Sequence, residues 1–152
     1  MQIPSIYSEE ISSSMIARIE QLTLSSPALW GKMDVAQMLA HCNVTYEMLY
    51  EDKHKRPNAF VRFLLRLLIK PTVTNEKSYK KNTQTAPAFL IADAKQFETE
   101  KTRLIVYIQR TQQLGANHFE GLASNSFGNL TSKEWNNLFY KHLDHHLSQF
   151  SV

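Results

Sequence analysis

Apolar residues return along this chain three and four residues apart in four long stretches, the spacing of one buried face on a helix. The first predicted helix runs from about Ser8 to Leu24, with Ile11, Met15, Ile19 and Leu22 on its stripe and Pro27 just past its end. The second opens at Asp34, which forms a D-x-x-Q capping pattern with Gln37, and carries Val35, Met38, Leu39, Cys42, Tyr46 and Leu49 on its apolar face. After the charged break DKHKRP comes a short segment, AFVRFLLRLLIK, that is apolar except for Arg62 and Arg66 and is expected to stop at Pro71. Residues 72–92 lack a sustained period and read mostly as loop. A third long helix is expected from near Asp93, with Gln96 three residues on, to Leu114, where Gly115 ends it; Phe97, Leu104 and Ile108 supply its core face. A second long loop, GANHFEGLASNSFGNL, leads to a last helix whose start is marked by the T-x-x-E box of Thr131 and Glu134.

Four long amphipathic helices with an extended connection between the second and third predict an all-α four-helix bundle with a long crossover that contains a short extra helix. The length of 152 residues fits a single domain, 1–152, and the low Gly and Pro content (four and five) with 43% hydrophobic residues favours helix over sheet. A single cysteine, Cys42, excludes an internal disulfide framework and a Cys-rich zinc module, which points to a reducing, cytoplasmic setting. The N-terminal stretch MQIPSIYSEE has no leader pattern, and no apolar run is long enough for a membrane span, so neither secretion nor membrane insertion is expected.

The last helix carries the most informative chemistry. Trp135, Phe139, His142 and His146 fall on one face, so two imidazoles one turn apart point inward, where a shared metal ion would satisfy their nitrogens. A third ligand is needed for a usable site, and His41, in the middle of the second helix, is the candidate, since sites in bundles lie between facing helices. His145 also neighbours His142, but it rotates toward the flank, whereas His146 continues the line from Trp135. Cys42 points about 100° away from His41 and reads as a buried inert thiol. Asp144 should face away from both histidines, so a catalytic triad is not expected. His54 and His118 are placed in loops, where exposed histidines are common. Gln37 and Thr45, one turn either side of His41, and Gln149, near His146, are candidates for orienting the ligands or a substrate.

Charge is concentrated elsewhere. The net charge is +3, yet between Lys53 and Lys81 there are nine Lys or Arg residues against one acid, Glu76. Such a stretch can attract nucleic acid or another anionic partner, although a solvated crossover is the favoured reading and no nucleic-acid motif accompanies it. The short segment with Arg62 and Arg66 has two readings, an amphipathic helix on a membrane surface or a helix packed on the bundle or in a dimer contact; the second is favoured.

Two blocks, WGKMDVAQMLAHC and FGNLTSKEWNNLFYKHLDHHLSQF, resemble the DinB-like superfamily, and within it a subfamily of undetermined function. Its three-His signature, one His on the second helix and H-x-x-x-H on the last, maps onto His41, His142 and His146. The subfamily pattern carries a His-Pro pair shortly before the Phe-Gly, where Ser124 and Asn125 stand here. The resemblance implies a bundle that binds a divalent metal ion such as zinc or nickel, often as a homodimer, and relatives that include transferases and isomerases using low-molecular-weight thiols. The leading expectation is therefore a metal-dependent enzyme that activates a small thiol for transfer to an electrophilic small-molecule substrate. A metal-dependent hydrolase using hydroxide and a non-catalytic protein that binds through the Lys53–Lys81 stretch are the alternatives.

Overall fold

The computed structural model describes residues 3–152, and the first two residues of the N-terminal stretch lie outside it. Its elements are α1 (Glu9–Glu20), α2 (Val35–Tyr50), α3 (Ala59–Leu68), α4 (Lys70–Thr74), α5 (Phe97–Phe119) and α6 (Ser132–Gln149), with a two-stranded hairpin of β1 (Ala123–Ser124) and β2 (Gly128–Asn129) before α6. Pro87–Phe89 form one 3-10 turn in the crossover. The molecule is mostly helical, as the periodicity predicts.

Helix starts follow local hydrogen bonding. Both capping boxes form: Asp34 accepts from Gln37 N at 2.8 Å while Gln37 accepts from Asp34 N at 3.1 Å, and Thr131 and Glu134 do the same for α6. α1 is capped by Ser8 and stops at Glu20, short of the expected Leu24, because Gln21 and Leu22 turn in a tighter 3-10 manner onto Arg18 and Ile19. α5 opens at Phe97 rather than near Asp93. Asp93 is engaged elsewhere, its carboxylate with Lys95 and its carbonyl with Gln37, and Gln96 supplies no side-chain cap.

Gly115 breaks the helix as expected: α5 is two helical runs joined across a kink at this residue. The glycine takes a left-handed backbone (φ 71°), and the chain resumes helix to Phe119. What holds that extra turn is tertiary: Phe119 is fully buried, stacked on Tyr7 at 5.2 Å and edge-on to Trp135 and Phe139. His118 therefore lies on a helix, although exposed. The crossover helix stops just ahead of Pro71, as expected. α3 ends at Leu68 and a new turn, α4, begins with Pro71 in its first positions, where a missing N–H costs nothing.

Side-chain ties give the helix directions. Asn43 meets Glu100 and Tyr50 meets Thr111, so α2 and α5 run parallel. His41 meets His142 while Tyr46 meets Phe139, so α2 and α6 are antiparallel. Tyr7 bonds Ser132 and Arg18 bonds Asp144, which sets α1 parallel to α6. The bundle is thus up-down-down-up, and the long crossover is what returns the chain so that α5 can start beside the start of α2. The core between the rods includes Ile19, Met38, Leu39, Tyr46, Leu104, Ile108, Phe139 and Leu143.

No residue of α3 is buried, and Arg62, Leu64 and Leu65 are half-buried. Among the described residues no helix is long and apolar enough to cross a membrane.

Candidate metal centre

α2 and α6 face one another at the level of three imidazoles. Below them lies a stacked aromatic layer, with Tyr46 parallel to Phe139 at 5.1 Å, and this layer sets the distance between the two helices. Above it, His41 is 4.9 Å from His142 and 4.5 Å from His146 between ring centroids, and His142 is 4.8 Å from His146. One ring nitrogen from each lies within 4.8 Å of the others, close enough to share a metal ion. His41 and His146 are buried and His142 is half-buried.

The outer nitrogens determine what the inner ones present. His41 Nδ1 lies 2.9 Å from the Phe89 carbonyl, which can only accept, so His41 carries its proton there and leaves Nε2 as a lone pair. Gln149 Nε2 donates to the Trp30 carbonyl at 2.6 Å, which turns Gln149 Oε1 toward His146 Nδ1 at 2.8 Å. His146 is thereby held in the same tautomer, with a bare Nε2. His142 Nδ1 is 3.2 Å from the Thr45 hydroxyl, which can donate or accept, and its Nε2 is 3.0 Å from His41 Nε2. Without a cation His142 must donate across that gap, since two lone pairs at 3.0 Å repel.

The spacing also fits a metal. Two nitrogens on neighbouring positions of an ion, each at about 2.1 Å, are about 3.0 Å apart at a right angle and somewhat more in a tetrahedron. Outer nitrogens bonded to carbonyl, hydroxyl and amide oxygens are what orients metal-binding imidazoles.

Burial lowers the pKa of all three. His142 is pushed well down by burial and by the neighbouring His146 and His41; His146 falls to about 3 through burial and His41, against the opposing bond to Gln149. His41 is lowered chiefly by burial, opposed by its bond to Phe89. The cluster is therefore neutral at pH 7, the ionisation state that ligation needs.

Of the remaining candidates, Thr45 and Gln149 touch the histidines and Gln37 does not. Gln37 is consumed by the cap on Asp34 and by its amide bond to the Asp93 carbonyl at 3.3 Å, on the exposed start of α2. His145 stands to the flank, edge-on to Trp30 at 5.7 Å and Tyr79 at 5.8 Å. Asp144 turns away to Arg18 at 2.8 Å. Cys42 is buried beside Met38 Sδ, and burial pushes its thiol up, so it takes no part. His54 is not a free loop residue: it is bound to Glu47 at 2.8 Å.

Sequence reasoning missed two contributors, the Phe89 carbonyl and the Trp30–Gly31 turn. Gly31 has φ +82° and lies so close to Gln149 that a Cβ there would meet Nε2 at 2.6 Å. A glycine after Trp30, just ahead of the second helix, was the available signal for that close approach. A backbone carbonyl leaves no signal in the residue type.

The comparison with known proteins adds one assignment. A family model described as a protein of unknown function, DUF1569, matches residues 10–152. The chain belongs to the DUF1569 family. The match spans α2, the crossover and α6, so all three histidines lie within the family's domain. No curated protein and no solved structure matches the chain.

Proposed function

We propose that this DUF1569 protein is a DinB-like metal-dependent enzyme in which His41, His142 and His146 hold one divalent ion, zinc or nickel, between α2 and α6. The observation that carries this reading is the orientation of the rings: two have their outer nitrogens bound to acceptors, and their bare inner nitrogens converge with His142. Three protein ligands leave positions open, the arrangement of catalytic rather than structural sites. A divalent ion there supplies Lewis acidity that lowers the pKa of a small thiol or water to near neutrality.

The chain's own residues provide orientation and exclusion. Phe89 and Gln149 hold His41 and His146 in the ligating tautomer before any ion arrives. Thr45 serves either tautomer of His142, donating to Nδ1 when His142 Nε2 is protonated and accepting from it when that nitrogen is a ligand. The Phe89 ring, 5.5 Å from His41 and 6.0 Å from His142, covers one side of the cluster. Cys42, one residue from His41, is sealed in the core, so a reacting thiol must come from outside as a low-molecular-weight co-substrate. The resemblance to thiol-dependent transferases supports that choice over hydrolysis.

The test is metal content. Protein purified without chelator should carry about one divalent ion per chain, and His41→Ala and His146→Ala should carry almost none. Equal, negligible metal in all three proteins removes the reading. With metal established, turnover of electrophilic substrates in the presence and absence of added thiol separates transfer from hydrolysis.

A further inference from the structure

A surface helix normally turns its apolar stripe to the core and its charges to water. α3 does the reverse. Phe60, Phe63, Leu67 and Leu68 are 69, 61, 61 and 63% exposed, flanked by Val61 and Ile69 at 39 and 43%. Placed at 100° per residue, Phe60, Val61, Phe63, Leu67 and Leu68 share one side of the helix, while Ile69 falls beside Arg62 and Arg66 on the other. Leu64 and Leu65 are half-buried, Arg62 Nε is buried without a hydrogen-bond partner, and the Arg66 guanidinium lies against Gly128 of the hairpin, within 3.7 Å of where a Cβ would stand. The apolar face therefore has no partner within the described residues.

The charge around α3 says what fits. Within the Lys53–Lys81 stretch, Lys53 and Lys70 are paired, with Glu51 and Glu134, while Lys55, Arg56, Arg62, Arg66, Lys77 and Lys80 have no acidic partner among the described residues. A second copy of the chain, seated face to face, would bring two such cation clusters together. A surface that is apolar beneath and negative on top matches both properties. We propose that α3 docks in the interface of an anionic lipid bilayer, with Phe60, Phe63, Leu67 and Leu68 in the acyl boundary and the neighbouring cations among the headgroups. One ten-residue helix gives reversible adsorption rather than a permanent anchor. The proposal does not depend on the metal site.

The experiment is co-sedimentation of the full-length protein with phosphatidylcholine vesicles, either neutral or containing about a third phosphatidylglycerol. Partition onto the anionic vesicles should exceed that onto neutral ones by roughly tenfold and fall in high salt. The double variant Phe63→Ser/Leu67→Ser should lose it with an unchanged helical spectrum, since both side chains are already in water. Lys55→Glu/Arg56→Glu, two exposed positions ahead of the helix, should lower anionic binding without touching the apolar face. No binding, or equal binding to both vesicle types, overturns the proposal. So does a wild-type dimer in sedimentation velocity that Phe63→Ser/Leu67→Ser converts to monomer, which would give the face to a second copy.

Discussion

The two seams that α2 makes with its neighbours both take polar groups into the bundle, and they solve the cost of doing so in opposite ways. Toward α5, the carboxylates of Glu47, Glu51 and Glu100 each meet a cation. Glu47 is bound by Arg103 and His54, Glu100 by Arg103 at 2.8 Å and by Asn43 at 2.8 Å, and Tyr107 donates to Glu51. Burial alone would raise the Glu47 carboxyl, yet the bonds from His54 and Arg103 and the charges of Arg103 and Lys53 hold it below its usual range. Toward α6, three bases stand together with no acid among them, and burial and mutual repulsion keep them uncharged. The first seam is complete as folded. The second has two bare ring nitrogens converging with His142, close enough together to share a metal ion. Polarity inside a bundle is thus a structural tie where charges balance and a candidate site where they do not.

Breaking the balanced seam should give the largest loss of stability. Glu47→Ala leaves Arg103 and His54 facing a gap. It should cost about 3 kcal/mol, the low end for a broken buried pair because Arg103 keeps some contact with water. Denaturant unfolding measures this, and bound metal should be unchanged; loss of metal in Glu47→Ala would show that the two seams are not separate.

The histidine seam should respond to ions and protons instead. Zinc or nickel at a hundred times its dissociation constant should stabilise the wild type by about 2.7 kcal/mol, with no such gain in His41→Ala. Acid should do the reverse to the metal-free protein. The three histidines have folded pKa values below the ordinary 6.5, so the unfolded chain binds more protons once the pH drops under that value. Stability is then full above pH 6.5 and falls as the pH is lowered toward the depressed folded values. Glu47 begins its own loss only near its ordinary value of 4.5, so thermal melts between 6.5 and 4.5 report the cluster together with His145, which burial also lowers. A His142→Phe variant should flatten the slope in that window.

Smaller effects separate the residues around the cluster. Thr45→Val removes the acceptor for His142 Nδ1–H and should weaken metal binding about tenfold, with Thr45→Ser restoring it, as titration calorimetry would read. Gln37→Ala should leave metal affinity untouched and cost about 0.5 kcal/mol or less, from half of one capping box. A tenfold metal defect in Gln37→Ala would return that residue to the site.

Much of this was legible in the residues. Asp34 with Gln37 and Thr131 with Glu134 announce their helices because a capping box is a bond between side chain and backbone three residues apart, needing no tertiary partner. The four-residue step from His142 to His146 fixes their common face for the same reason. Where the reading failed, the deciding contact was distant. Asp93 looked like a cap but its groups are taken by Lys95 and Gln37, and Gln37 looked like a site residue on spacing alone.

By itself, then, the sequence determined four long helices, two of their starts and a pair of inward histidines, since each depends on interactions within a turn or two of chain. Only the tertiary structure decided that His41 closes on that pair, that Phe89 and Gln149 choose the tautomers, and that α3 turns its apolar side outward. Those outcomes depend on which groups from remote segments arrive within hydrogen-bonding or van der Waals reach, a range of a few ångströms that periodicity cannot specify.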